Sequence, residues 1–268
     1  MISFWQSIIL GAVQGITEWL PVSSKGINIL ILLHTTQMPL AEALRFAIWL
    51  HIGTLFAALI YFRRDVFSVV RYLPNYFKRD SGTAHSSALT TFLIITTVIS
   101  GALGGPLLIF GITRLTFPEG YAFGIIGIFL IATGLLQKFS IRSSGTKTAT
   151  GIKDAVVLGV VQALSVFPGL SRSGLTVSAL LFRGYEPGHA IKLSFLMSIP
   201  LVLFAEIGLN LFWGASFDWV SVSGIIVAFV FGILTINALL KLAKRIRFWK
   251  FCIILGLLSM ATLVIELV

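Results

Sequence analysis

The sequence predicts an all-α polytopic membrane protein: an inverted repeat with about six transmembrane helices plus two re-entrant helical hairpins. Three observations predict it. Of the 268 residues, 57% are hydrophobic and only 11% charged, which excludes an ordinary water-soluble domain. The basic residues gather in clusters separated by apolar runs. Two apolar segments interrupted by Pro, Gly and Ser resemble each other at a fixed offset.

The N-terminal stretch MISFWQSIILGAVQGITEWL has no basic n-region and carries Gln and Glu within its apolar run. It also lacks an A-x-A site, so it is expected to be part of the mature fold rather than a signal peptide. Lys and Arg number 20 against 10 Asp and Glu, a net charge of +10. On a soluble protein that excess would point to nucleic acid; here it reads as orientation, and no nucleic-acid partner is expected. One cluster holds Arg63, Arg64, Arg71, Lys78 and Arg79, and a second holds Lys138, Arg142, Lys147 and Lys153. Arg183 and Lys192 form the third, and Lys241, Lys244, Arg245, Arg247 and Lys250 the fourth. The positive-inside rule places all four on the cytoplasmic side of a plasma-membrane protein. Lys25, Arg45, Arg114 and Arg172 lie outside the clusters, with Arg45 and Arg114 expected near the outer surface.

A helix needs about 20 apolar residues to cross the hydrocarbon core. Crossings are expected over Ala41 to Phe62, Leu89 to Ile112, Tyr121 to Leu136, Ile191 to Trp213, Val220 to Leu240 and Phe251 to Val268. Gly104, Gly105 and Pro106 should bend or break the second. The connection around Arg114 and Glu119 should lie outside, and Trp213 to Trp219 should form an aromatic interface belt.

Asp154 to Leu181 does not fit this alternation. Basic clusters on one side of the membrane bracket it, and Pro168, Gly169, Ser171, Arg172, Ser173 and Gly174 break its centre. A re-entrant hairpin satisfies both facts, since non-helical backbone at that depth is tolerated where protein or a water-filled cavity covers it. A shift of 148 residues aligns ILGAVQGITEWLPVSSKG (Ile9 to Gly26) with VLGVVQALSVFPGLSRSG (Val157 to Gly174), with Gln14/Gln162, Ser23/Ser171 and Gly26/Gly174 among six identities. The first hairpin should enter from the opposite face to the second. One membrane domain, 1–268, therefore divides into repeat 1 (about 1–136) and repeat 2 (about 154–268). The two breaks should meet near the midplane in one site.

Ionisable residues inside membrane segments mark function by default. The breaks supply Glu18, Lys25 and Arg172, with Ser23, Ser24, Ser171, Ser173 and Thr176 beside them, which is a phosphate site in outline. Arginine presents a planar fork matched to phosphate oxygens, a serine hydroxyl is a candidate nucleophile, and a lone carboxylate can hold a divalent cation or manage a proton. Gln14 is a candidate substrate contact or helix-packing glue. Glu206 and Asp154 read as structural or interfacial, and His34, His85 and His189 as surface residues. No zinc spacing, P-loop or dinucleotide glycine pattern occurs.

The strings VQGITEWLPVSSKG and PGLSRSGLT resemble the two signature motifs of the undecaprenyl-diphosphate phosphatase (bacitracin-resistance) family. The likeness continues through HIGTLFAALIYFRR (His51 to Arg64) and the later helices. It implies a membrane enzyme hydrolysing a long-chain polyprenyl diphosphate to the monophosphate and phosphate, recycling the carrier lipid for cell-envelope glycan synthesis. A divalent cation, Mg2+ or Ca2+, is implied with it, and a homodimer is left open. It makes Gln14 and Glu18 the two positions of an E/Q-x-x-x-E motif, with Glu18 the metal-binding carboxylate, Ser24 a nucleophile or metal-site hydroxyl, and Arg172 the phosphate clamp. Two positions depart from the pattern: Ile27 stands where a histidine is usual, and Lys25 where a small uncharged residue is usual. His51 is the nearest substitute for that histidine. The rival reading is a transporter that binds or flips a polyprenyl phosphate without hydrolysis, since inverted repeats with broken helices also build secondary transporters.

Overall fold

The computed structural model describes residues 2–36, 38–77, 84–111, 119–143, 145–213, 218–243 and 248–267, and no strand is present among them. Helix α1 (Phe4–Thr17) opens with a capping box: Ser3 Oγ accepts from the Gln6 amide while the Gln6 side chain accepts from the Ser3 amide, satisfying two otherwise orphaned donors. It is followed by α2 (Ser24–Thr36), α3 (Leu40–Trp49), α4 (His51–Tyr61), α5 (Arg63–Phe77) and α6 (Ala84–Pro106). Helix α7 (Glu119–Ser140) closes the first half, and the second comprises α8 (Ile152–Ala163), α9 (Arg172–Phe182), α10 (Pro187–Trp213), α11 (Trp219–Ala243) and α12 (Trp249–Leu267).

Five stretches are long and apolar enough to cross a membrane: Leu40–Tyr61, Ser87–Phe110, Tyr121–Ser140, Pro187–Gly208 and Trp219–Leu242. The protein is thus a multi-pass membrane protein. The sixth expected crossing is the shorter apolar helix Trp249–Val264, packed along α7. The first crossing is α3 and α4 end to end, joined at Leu50. Gly104-Gly105-Pro106 does not break the second crossing. The chain passes from α6 into a π turn, Leu107–Gly111, whose wider winding accommodates a residue that donates no hydrogen bond. Amphipathic α5, with Phe67 and Val70 exposed beside Arg63, Arg64 and Arg71, extends the first basic cluster as a helix the hydropathy pattern had not separated. The connection around Arg114 and the turn between Trp213 and Trp219 lie outside the described residues.

Side-chain contacts bring the basic clusters to one end of the molecule. Lys192 pairs with Asp65 at 2.7 Å, tying the third cluster to the first. Asp154 binds both Lys147 and Arg183, tying the second to the third. Lys138 and Lys250 both lie over the Trp249 ring, tying the second to the fourth. Burial alone would raise the Asp154 carboxyl, but hydrogen bonds from Lys147, Tyr185 and Arg183 hold it below the ordinary carboxylate range, so Asp154 is structural as expected. His189, expected at the surface, is half-buried and stacked on Tyr185.

The four hairpin helices, α1, α2, α8 and α9, run 14, 13, 12 and 11 residues, too short to cross. Their packing is reciprocal: α1 of the first half lies on α11 of the second, α8 of the second lies on α6 of the first, and α7 lies on α12. Serine hydroxyls staple each pair through backbone carbonyls. Ser7 donates to Val220, Ser100 to Gly159 and Ser259 to Phe123, the polar glue of helices without a water-driven apolar force between them. On α7 and α12 the backbones approach so closely that a Cβ on Gly127 would stand 2.7 Å from the Gly256 carbonyl oxygen, and one on Gly256 2.6 Å from that of Gly127.

Candidate active site

Each hairpin ends one half-helix inside the molecule and begins the next a few residues on. Phe4 and Ile152 open the first half-helices, and Ser24 and Arg172 the second, both pairs 148 residues apart, the offset seen in the sequence. The backbone reverses through left-handed residues. Ser23 has φ 64° and Gly169 φ 95°. Position 169 also needs glycine for space, since a Cβ would stand 2.6 Å from the Ile126 carbonyl oxygen. A non-glycine residue in this region, like Ser23, costs of order 1–3 kcal/mol and gathers at functional sites. Its Oγ accepts from the Gly26 amide at 3.3 Å.

The two breaks meet. Lys25 Nζ donates to the Ser165 and Val166 carbonyls, both at 2.7 Å, capping the C-terminal end of the α8 half-helix. Ser173 donates to the Leu20 carbonyl, and Arg172 reaches across to Glu18, Nη2 to Oε1, at 2.5 Å. Arg172 also donates to the Ser194 carbonyl and lies over the Phe195 ring, contacts that fix the guanidinium plane. Ser171 is the N-cap of α9, accepting from the Gly174 amide.

Glu18 is the hub. Its Oε1 takes Arg172; its Oε2 accepts the Ser24 hydroxyl at 2.6 Å and the Gln14 amide at 3.1 Å. His51 Nε2 stands 3.4 Å from the same Oε2. Gln14 is held by Asn28, which donates to its Oε1 at 3.0 Å, and by Thr54. A serine hydroxyl on a carboxylate, with a guanidinium on the carboxylate's other oxygen, is the constellation of an activated nucleophile beside an anion clamp.

Glu18, Ser23, Ser24, Lys25, His51, Ser171, Arg172 and Ser173 line one cavity of about 260 Å³. Its other walls are mostly apolar: Gly101, Gly104 and Leu108 before and within the π turn, and Leu201, Val202 and Phe204 on α10. Both α2 and α9 begin at it, so the positive ends of two helix dipoles point there, favouring an anion. Gln14 and Thr176 were expected to contact substrate and do not line it. Gln14 is fully buried behind Glu18, which lies one turn on and shares its helix face, and the Thr176 hydroxyl is taken by the Arg172 carbonyl and Ser194. Conversely Glu206, read as structural or interfacial, lines the cavity with Ser100 and Gln162.

The divalent ion implied by the resemblance does not fit this donor set as arranged. Mg2+ and Ca2+ require several oxygen ligands. Where the two breaks meet, the acid is Glu18, with Arg172 on one oxygen and three further groups on the other; position 14 supplies an amide rather than a second acid, and Glu206, the other carboxylate lining the cavity, comes from α10. Among the described residues no group of three His, Cys, Asp or Glu side chains could hold a metal.

A family profile described as bacitracin resistance protein BacA matches residues 7–261. The chain is 44% identical to the undecaprenyl-diphosphatase of Methanococcoides burtonii over 263 residues, covering 98% of this chain and 99% of that one. It is 37% identical to the protein of that name from Haloarcula marismortui, covering 93% of each, and 37% identical to that from Methanothrix thermoacetophila, covering 96% of this chain and 95% of the other.

Proposed function

The chain belongs to the bacitracin resistance protein BacA family, and from that premise we propose that it hydrolyses undecaprenyl diphosphate, or a polyprenyl diphosphate of similar length, to the monophosphate and phosphate. The plasma membrane is its proposed location, and recycling of the carrier lipid for envelope glycan synthesis its proposed role. The observation that carries the reading is the convergence of Glu18, Ser24 and Arg172, from two separate broken hairpins, on one anion-favouring cavity with apolar walls.

The diphosphate occupies the polar end and the prenyl chain follows the apolar walls between α6 and α10. Arg172 leaves part of its contact with Glu18 to hold phosphate oxygens. Lys25, with two of its three N–H groups on carbonyls, keeps the third for the ligand. Ser24 Oγ bonds to the terminal phosphorus while the bond from that phosphorus to the bridging oxygen breaks. The serine proton leaves toward Glu18, and water then releases phosphate from the serine. Such chemistry is mostly positioning and charge stabilisation.

Transport without hydrolysis is left unsupported, since the relatives above are all named as diphosphatases. Purified protein supplied with undecaprenyl diphosphate and Mg2+ is expected to release phosphate, and Arg172→Ala to lose most of that release. Equal release from the two proteins would overturn the proposal.

A further inference from the structure

Glu18 is a poor final home for the proton that Ser24 gives up. Arg172 holds its Oε1 at 2.5 Å, and protonating the carboxylate would leave that guanidinium facing a neutral group in a largely buried place. A second acceptor within reach of Oε2 would relieve this. His51 opens α4 at the joint of the first crossing. Its Nδ1 stands 2.8 Å from the Ala47 carbonyl oxygen, which can only accept, so Nδ1 carries the hydrogen. The titrating nitrogen is then Nε2, and it faces Glu18 Oε2 at 3.4 Å, the oxygen that also takes the Ser24 hydroxyl. The ring lines the cavity. Ile27, one turn after Ser24 on α2, is apolar and does not line it.

Resting on the phosphatase reading above, we propose that His51 is the acid–base residue of this site, the Glu18–His51 pair serving as its proton store. In the first half-reaction the Ser24 Oγ–H bond breaks as Oγ bonds phosphorus, and the proton passes through Oε2 to Nε2. The bond from phosphorus to the bridging oxygen breaks, its electron pair stays on the departing monophosphate, and Nε2 returns the proton to that oxygen. In the second half-reaction a water in the cavity bonds the phosphoserine phosphorus and gives its proton to Nε2; Ser24 Oγ leaves and recovers it. No proton, electron pair or co-reactant is left over. The charged groups facing the ring are Glu18 from the first break, Lys25 from α2 and Arg172 from α9.

Two substitutions separate proton exchange from a structural role. His51→Asn keeps a donor for the Ala47 carbonyl, and His51→Gln keeps one for Glu18, but neither side chain exchanges protons. Phosphate release from undecaprenyl diphosphate is measured for both and for the unchanged protein across pH 5 to 9, with melting temperatures in detergent as the folding control. Both variants are expected to lose about 10²-fold or more in kcat, with KM within about threefold. The rise of kcat with pH that a neutral imidazole requires should also disappear. Either variant retaining kcat within about threefold, with its pH dependence intact, would overturn the assignment and leave the phosphatase reading standing. Absence of release from the unchanged protein would overturn both.

Discussion

The two re-entrant hairpins begin their half-helices at equivalent positions and divide the chemistry. At the 148-residue offset Gln14 corresponds to Gln162, Glu18 to Val166, Ser24 to Arg172 and Lys25 to Ser173. The first break supplies the acid and the serine hydroxyl bonded to it, the second the guanidinium, and each sends one long cation across to the other: Arg172 to Glu18, Lys25 to the Ser165 and Val166 carbonyls. Even the paired glutamines differ. Gln14 orients Glu18, whereas Gln162 donates to Ser100. A symmetric scaffold has become an asymmetric site through substitution at the breaks, where side chains face a cavity rather than lipid.

The division between hairpins can be broken from either side. The largest effect is expected from the first: Ser24→Ala should lower kcat by ~10⁴-fold or more, as loss of a nucleophile does, and a phosphorylated serine should be trappable by rapid acid quench of the unchanged protein and absent from the variant. Full activity in Ser24→Ala would move the attack to water. From the second hairpin, Arg172→Ala should raise the barrier by about 2–4 kcal/mol, the cost of losing one preorganised charge stabiliser, read as kcat for phosphate release. Gly169→Ala tests the turn particular to the second hairpin. A left-handed φ and a carbonyl 2.6 Å from the new Cβ should destabilise the second hairpin by about 2 kcal/mol or more, measured by thermal unfolding in detergent; the corresponding Pro21→Ala, at no left-handed residue, should cost less.

The smallest effect lies away from the site. Asp154→Asn should cost about 1 kcal/mol, discounted for the partly exposed Lys147 and Arg183 partners. Because the Asp154 carboxyl is held below its unfolded value, its contribution is fully present above about pH 4 and is lost as pH falls through the folded value. Melting temperatures of the two proteins should therefore differ near neutrality and converge in acid.

Much of this was legible in the residues. The basic clusters oriented the helices because charge is expensive in lipid. The repeat offset is kept where each second half-helix begins, at Ser24 and Arg172, although the two hairpins turn through left-handed residues at different positions, Ser23 and Gly169; Glu18, Ser24 and Arg172 stand out as polar groups in apolar surroundings. Spacing alone does not say which side of a half-helix faces a cavity, so it does not separate Gln14 and Thr176, which bond to Glu18 and to the Arg172 carbonyl, from the residues that line the cavity. Their signals were present: Gln14 lies four residues before Glu18, and Thr176 four after Arg172, close enough to touch. The π turn after Pro106 left no trace in hydropathy, because winding changes without a change in polarity. The Ser194 carbonyl under Arg172 left none either, because any residue has one.

The shared site is tested most directly by a double-mutant cycle on kcat/KM for undecaprenyl diphosphate, using Glu18→Gln, Arg172→Gln and the double variant. Residues from two hairpins that hold one ligand should couple by about 2 kcal/mol or more, the second substitution costing far less once the first is made. Additivity within about 0.5 kcal/mol would show that the two breaks act separately and contradict a single site.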